Sequence, residues 1–208
     1  MFSTTRYTVA LALSLVAPLI LAQTTVPTAP AASAARVRGT IQAVAPGTLT
    51  VKDRSGEVLE LVLPPKVTVS EVYPMALADI QPGSFIGTAA MPQADGTERA
   101  IAVTVFPESA RGAGEGHRPF DMLPQSTMTN ATVADVVASP KGRTLQRKDK
   151  DGERAIVVPL DAPVVSFKPG DASLLVVGAS VSLTAQLVDG KPTITRINAG
   201  RNGFQLPY

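Results

Sequence analysis

Apolar and polar residues alternate with a period of two along most of the chain beyond residue 36. The pattern is clearest between residues 181 and 187, where four apolar positions alternate with three polar ones: Val181, Leu183, Ala185 and Leu187 against Ser182, Thr184 and Gln186. A two-residue period is typical of a β-strand that buries one face. Beyond the apolar run near the N-terminus, no window shows sustained helical periodicity, so the sequence predicts an all-β protein.

Similar segments recur about 95 residues apart, which indicates an internal repeat. The matching pairs are Asp53–Glu57 with Asp149–Glu153, Pro82–Gly87 with Val177–Ser182, and Asp95-Gly96 with Asp189-Gly190. Their displacements are 96, 95 and 94 residues, and small insertions in loops account for the drift. We therefore divide the chain into two units, residues 36–107 and residues 131–208, joined by a connector at residues 108–130.

Both units have a similar order of predicted strands. The first unit has Val37–Val44, Leu49–Lys52, Val58–Leu63, Val67–Val69, Phe85–Met91 and Glu98–Phe106, with one helical turn at Met75–Ile80. The second has Thr132–Ser139, Thr144–Lys148, Arg154–Pro159, Val164–Phe167, Val181–Leu187 and Lys191–Asn198. Short strands of this kind favour closed barrels, because closure removes exposed sheet edges. The predicted fold is two tandem small five-stranded OB-like barrels; an SH3-like barrel and a small open sandwich are the alternatives.

The N-terminal segment has the pattern of a secretory signal peptide. Arg6 precedes a 13-residue apolar run, Val9–Leu21, and the small residue Ala22 follows it. Because a membrane-spanning helix needs about 20 residues, the run predicts a signal peptide at residues 1–22, with a retained N-terminal anchor as the alternative. Residues 23–35 are rich in Ala, Pro and Thr and predict a disordered tether. We therefore expect a periplasmic or secreted chain with no integral membrane span after cleavage.

Charge and composition argue against several classes of function. The chain has 19 Lys and Arg against 17 Asp and Glu and no basic stripe, so we expect no nucleic-acid binding. It has no Cys, which excludes thiol catalysis and Cys-based zinc sites. His117 is the only histidine, and no Gly-x-Ser-x-Gly motif surrounds a serine. We therefore expect no enzyme activity and no catalytic or cofactor-binding residues.

Three stretches, Val37–Glu57, Leu77–Gly87 and Arg111–Val133, resemble exported bacterial proteins of unknown function that carry tandem OB-like β-barrel repeats. The resemblance covers nearly all of the chain after the tether, and it implies the same fold and export. Some of those proteins carry the label of metal ABC transporter permease. A permease needs several spans of about 20 apolar residues, which this sequence lacks, so the resemblance leaves function open.

The connector at residues 108–130 holds an unusual group of reactive side chains. Glu115, His117 and Asp121 form a candidate metal site, because an imidazole nitrogen and carboxylate oxygens together bind divalent ions. The two methionines of the connector would favour copper if a thioether joined these ligands. The alternative is that His117 is exposed and that the two carboxylates are solvated or paired with nearby arginines.

These features predict a non-enzymatic exported binding or scaffold module of the bacterial cell envelope, with a cell-envelope protein as its partner. The repeated barrel and the unusual connector favour this interpretation. The alternative function is a metal-handling accessory protein that uses the connector around His117 to hold or transfer an ion. The last segment, Phe204–Tyr208, either packs across the barrels as a strap or is free.

Overall fold

The computed structural model describes residues 34–140, 142–149 and 152–208, and strands dominate it. The strands are β1 (Ala35–Ala45), β2 (Thr48–Asp53), β3 (Val58–Val62), β4 (Thr68–Pro74), β5 (Phe85–Pro92), β6 (Glu98–Val105), β7 (Gly116–Pro119), β8 (Thr127–Ser139), β9 (Gly142–Asp149), β10 (Gly152–Pro159), β11 (Val164–Pro169), β12 (Ser180–Val188) and β13 (Lys191–Gly200). Short 3-10 turns lie at Leu77–Asp79, Glu108–Ala110 and Ala172–Leu174. The predicted all-β class is confirmed.

The predicted strands of both units lie close to the observed ones, and the main difference is in the connector. The predicted strands leave residues 108–130 as a connector without a strand of its own, but this segment contains β7 and the first residues of β8. The predicted signal peptide at residues 1–22, and all but the last two residues of the tether at residues 23–35, lie outside the described residues. Among the residues that are described, no helix is long and apolar enough to cross a membrane.

Five strands close into a first ring, which we call barrel 1. Strands β1, β2 and β3 form an antiparallel meander, and β12 and β13 form a hairpin. The hairpin closes the ring because β12 pairs with β1 and β13 pairs in parallel with β3. Gly39 lies within β1, where a Cβ atom would collide with the carbonyl oxygen of Lys52. Only glycine allows the two backbones to approach so closely.

A second ring, barrel 2, has the same order of strands. Strands β8, β9 and β10 form its meander, and β5 and β6 form its hairpin. The ring closes because β5 pairs with β8 and β10 pairs in parallel with β6. Each ring is therefore a three-stranded meander closed by a two-stranded hairpin, which agrees with the predicted five-stranded, OB-like barrel.

Each barrel combines a meander from one predicted unit with a hairpin from the other. This pairing differs from our prediction that residues 36–107 and residues 131–208 each close a barrel of their own. The alternation of apolar and polar residues identifies the buried face of a strand. It is similar in both hairpins, however, so it does not specify which meander each hairpin will close.

Strands β4 and β11 join the two barrels into one continuous sheet. They pair with each other in antiparallel fashion, while β4 pairs in parallel with β13 and β11 pairs in parallel with β6. Each of these strands carries the chain from the meander of one barrel to the hairpin of the other. The two barrels are thereby held side by side, and a cleft lies between their adjoining walls.

The core consists of three clusters of buried apolar side chains. The first fills barrel 1 around Ile41, Leu49 and Ile197, and the second fills barrel 2 around Leu145 and Ile156. Each such fully buried side chain stabilises the fold by about 1.5–3 kcal/mol relative to exposure. The third cluster lies between the barrels on β4 and β11 and includes residues of the C-terminal segment.

The C-terminal segment Phe204–Tyr208 packs as a strap, which is one of the two arrangements that we considered. Leu206 is 5% exposed and contacts Val72 and Val165. Its backbone N–H donates to the Ser180 hydroxyl at 3.1 Å. The strap ends at Tyr208, beside the cleft between the barrels.

Candidate functional site

The cleft between the barrels has a volume of about 350 Å³ and is partly open to solvent. Strands β1, β12 and β13 form one wall, and β5, β6 and β8 form the other. Strands β4 and β11 each contribute one residue to its lining, and the connector lines its mouth. A concavity of this size lies within the range of small-molecule sites.

The barrel 1 wall presents two parallel rows of polar and basic side chains. The first row runs from β1 through β12 and β13 to β4 and consists of Arg38, Ser182, Asn198 and Ser70. The second row runs beside it across the first three of these strands and consists of Arg36, Thr184 and Arg196. Since the two rows are two residues apart on each strand, both project from the same face into the cleft.

The barrel 2 wall carries smaller and uncharged residues. Asn130, Gly87 and Thr104 form a cross-strand row on β8, β5 and β6, and Met128 lies two residues before Asn130 on β8. A Cβ atom at Gly87 would lie 2.8 Å from the Asn130 Oδ1 atom and 2.9 Å from the Phe106 ring. The glycine therefore lets Asn130 and Phe106 pack directly over the strand.

Aromatic rings cover the inner end of the cleft. Phe106 packs edge-on against Phe167 on β11, with ring centroids 5.5 Å apart. Tyr208 lies beside them, and its hydroxyl oxygen accepts a hydrogen bond of 3.2 Å from Thr104. Burial raises the pKa of the Tyr208 phenol, against the smaller lowering effect of that hydrogen bond. The phenol is therefore neutral at physiological pH, and this end of the cleft is largely aromatic and uncharged.

The connector enters the cleft through β7 and the loop that follows it. The loop is closed by hydrogen bonds between Phe120 and Ser126, which hold Phe120 at the mouth of the cleft. The guanidinium groups of Arg36 and Arg38 lie 5.2 and 5.3 Å from the centroid of the Phe120 ring. Cation–π contacts of this kind contribute about 0.5–1 kcal/mol at exposed sites.

Asp121 provides the acidic partner of this arginine pair. Arg38 donates two hydrogen bonds to its carboxylate, at 2.7 and 3.1 Å, and Arg36 donates a third at 3.3 Å. The Arg38 hydrogen bonds, and then the positive charges of both arginines, hold the pKa of the Asp121 carboxyl below its usual value. Asp121 is 54% exposed, so it neutralises part of the positive charge at the mouth without filling the cleft.

Two polar atoms of the cleft lining have no hydrogen-bond partner. Asn130 is 5% exposed; its amide nitrogen donates to the Ala113 carbonyl at 2.8 Å, but its Oδ1 atom accepts no hydrogen bond. The Arg38 Nε atom is also buried without an acceptor. Because an unsatisfied buried polar group costs about 1–3 kcal/mol, such atoms concentrate at sites that bind water or ligands.

The structure does not bring the predicted metal ligands Glu115, His117 and Asp121 together. His117 and Arg118 are adjacent on β7, so their side chains point in opposite directions. Arg118 lines the cleft, whereas the His117 Nδ1 atom lies 2.7 Å from the Thr129 hydroxyl. Glu115 is exposed, and Asp121 is bound by arginines. In the described ranges, no three His, Cys, Asp or Glu side chains are arranged to hold a metal ion.

A second charged cluster lies inside barrel 2. Glu98 is 4% exposed and Arg147 is 1% exposed, and Arg147 donates a hydrogen bond of 2.8 Å to the Glu98 carboxylate. The His117 Nδ1 atom lies 3.6 Å from the same carboxylate. This arrangement places the only histidine of the chain beside a buried ion pair rather than in the cleft.

Sequence reasoning missed the cleft because its residues are far apart along the chain. Arg36 and Arg196, for example, are separated by most of the sequence and become neighbours only through pairing with β12. One local signal was present: Arg38 lies on the predicted strand Val37–Val44 and Arg36 immediately precedes that strand, so a strand longer by one residue would place both arginines on one face. Four of the nine Phe and Tyr residues line the cleft, although they are widely separated in the sequence.

Comparisons with known proteins identify no relative: no protein-family model, no curated protein and no solved structure matches this chain.

Proposed function

We propose that this protein is a non-enzymatic binding module exported to the bacterial cell envelope, and that the cleft between its barrels is the ligand site. One observation carries the proposal: four guanidinium groups and four aromatic rings line the same cleft of about 350 Å³. They come from both barrels, from the connector and from the C-terminal strap. A concave site with an apolar surface and a few convergent polar groups is typical of ligand binding.

The chemistry of the lining favours binding over catalysis. An arginine side chain remains protonated at any physiological pH, so it donates hydrogen bonds but does not remove a proton from a substrate. The hydroxyls of Ser182 and Thr184 and the amide of Asn198 complete a surface of donors and acceptors around these cations. Such groups fix the position and orientation of a bound molecule.

The geometry supports the alternative, a metal-handling protein, less well. Metal coordination at the connector would need the Asp121 carboxylate, which Arg38 already holds through two hydrogen bonds. It would also need His117, whose Nδ1 atom faces Thr129 and Glu98. The expected cell-envelope protein partner and the periplasmic or secreted location stay predictions from the sequence.

Native mass spectrometry can test the cleft as a ligand site. The protein, exported with its own predicted signal peptide, is incubated with a small-molecule extract of a bacterial envelope and then measured for bound mass. Thr184→Trp fills the cleft from the centre of its basic wall, and we expect this variant to lose the adduct that the wild type retains. Gln186→Trp is the matched control, since Gln186 lies two residues along the same face of β12 but outside the cleft lining.

The proposal is contradicted if the wild type binds nothing from the extract. It is equally contradicted if Thr184→Trp retains the same adduct as Gln186→Trp, because the bound molecule would then lie elsewhere. Circular dichroism of both variants checks that each one is folded.

A further inference from the structure

We propose that the ligand of the cleft is a small organic acid, with one carboxylate or similar anionic group and a flat apolar body. The inference rests on the proposed function, because it concerns the same cleft. It goes further by assigning a chemical class to the ligand and a separate part of the cleft to each half of the molecule.

The anionic half is assigned to the row formed by Arg36, Thr184 and Arg196. These residues are direct cross-strand neighbours, with Arg36 and Arg196 on either side of Thr184. Adjacent strands are about 4.8 Å apart, so the two arginine backbones are about 10 Å apart with a hydroxyl between them. An anion above Thr184 would accept hydrogen bonds from the hydroxyl and from both guanidinium groups, as carboxylates do in charge-assisted pairs.

The charges around the row are not balanced. Four arginines line the cleft, and the lining contains no acidic residue. Asp121 at the mouth offsets one of these charges, which leaves 4 − 1 = 3 positive charges. Among the residues described, the Arg196 side chain makes no ion pair or hydrogen bond. Like charges held close together repel each other, and a bound anion would relieve that repulsion.

Asp121 demonstrates how this wall holds a carboxylate. Arg38 forms two parallel hydrogen bonds with the Asp121 oxygens, and the Phe120 ring lies against the same guanidinium. A ligand acid on the neighbouring row would repeat this arrangement with Arg196 and Arg36. Arg118 reaches the cleft from the connector and adds a further donor at its mouth.

The apolar half is assigned to the opposite wall and the inner end of the cleft. Phe106, Phe167 and Tyr208 provide aromatic surface there, and Met128 lies on the adjoining strand. Gly87 has no side chain, so the wall at that position consists of backbone, of the Phe106 ring and of the Asn130 amide. Flat rings pack well against such a surface in edge-on or offset geometry. The modest volume of the cleft suits one or two fused rings.

Titration calorimetry with defined probes tests this assignment. The probes are 2-naphthoate, its uncharged amide 2-naphthamide, and acetate, which has the charge without the rings. We expect 2-naphthoate to bind at least tenfold more tightly than either of the others. In amide NMR spectra of the labelled protein, its binding should shift the signals of Thr184 and Arg196.

The matched variants are Arg196→Gln, which removes a cleft cation, and Arg99→Gln, which removes an exposed arginine of β6 outside the cleft lining. We expect Arg196→Gln to weaken 2-naphthoate binding about tenfold, and Arg99→Gln to leave it unchanged. Loss of one charge-assisted hydrogen bond, about 1.5–3 kcal/mol, corresponds to at least that factor.

The outcomes separate this inference from the function that it rests on. If 2-naphthamide binds as tightly as 2-naphthoate and Thr184→Trp abolishes both, the cleft is a ligand site but the anionic class is wrong. Unchanged 2-naphthoate affinity in Arg196→Gln overturns the assignment of the anion to that row. If 2-naphthoate does not bind at all, the inference fails, and the envelope-extract experiment alone decides the proposed function.

Discussion

The two barrels share one order of strands but carry their charged residues in opposite places. Among the described residues, barrel 1 buries no charged side chain, and its charges lie on the outer wall, in the row of Arg36, Thr184 and Arg196. The matching positions of barrel 2, on β8, β5 and β6, are uncharged: Met128, Ala89 and Ala102. Barrel 2 instead buries Glu98 and Arg147 inside.

This difference shows that strand order and surface chemistry are specified separately. Ring closure depends on backbone pairing and on an apolar inward face, which both barrels have. The outward face of a strand contributes little to closure, so its residues are free to form a basic wall in one barrel and an uncharged wall in the other. Because barrel 2 holds charged side chains inside, its stability depends on electrostatic interactions more than the stability of barrel 1 does.

The largest expected effect comes from removing the buried carboxylate of barrel 2. We expect Glu98→Ala to lower the free energy of unfolding by about 3–5 kcal/mol, because Arg147 and His117 would lose the negative charge that they approach. Urea denaturation monitored by circular dichroism measures the change. Glu71→Ala is the control: Glu71 pairs with Lys168 and Arg201, which reach solvent, so its loss should be clearly smaller. Equal losses in the two variants would contradict the large contribution that we assign to the buried carboxylate of barrel 2.

A second prediction concerns the exchange of hairpins between the units. Ile41 in barrel 1 and Ile156 in barrel 2 are both 0% exposed, so replacing either with Ala should cost about 2–5 kcal/mol. Because each barrel contains strands of both units, we expect either substitution to reduce hydrogen-exchange protection in β2 and β9 alike. Leu187→Ala, at a residue that is 62% exposed, serves as a control with little effect. Loss of protection confined to the substituted barrel would show that the barrels unfold independently.

Much of the fold was predictable from the sequence because local alternation determines it. The alternation at Val181–Leu187 identified β12 and its outward polar residues, and the predicted strands Leu49–Lys52 and Val58–Leu63 correspond to β2 and β3. The exchange of hairpins was not predictable from this pattern, because it depends on how β4 and β11 pair with each other. That pairing joins two strands that are far apart in the sequence and similar in their pattern of apolar and polar residues.

The candidate site was less predictable, because we looked for reactive side chains that are close together in one segment, the connector. The connector residues Glu115, His117 and Asp121 are close in sequence. In the structure, however, His117 on β7 faces Glu98, and the loop after β7 places Asp121 beside the arginine pair of barrel 1. The connector does contribute to the cleft, but through Arg118 and Phe120. Side chains that converge from distant strands leave no local signature beyond the Arg36 and Arg38 alternation.

The smallest expected effect concerns Asp121, the exposed counterpart of the buried Glu98. Its arginine partners hold the pKa of the folded state below the ordinary value of 3.8, so its stabilising effect is complete above pH 3.8 and is lost as the pH falls through the lower folded value. Because Asp121 is 54% exposed, we expect less than about 1 kcal/mol at pH 7 in a comparison of Asp121→Asn with the wild type. A carboxyl-carbon NMR titration should give a midpoint below 3.8 in the wild type, and a higher one in Arg38→Gln. A wild-type midpoint at or above 3.8 would mean that the barrel 1 wall does not hold a carboxylate. The contrast between the basic outer wall of barrel 1 and the uncharged outer wall of barrel 2 would then lose its support.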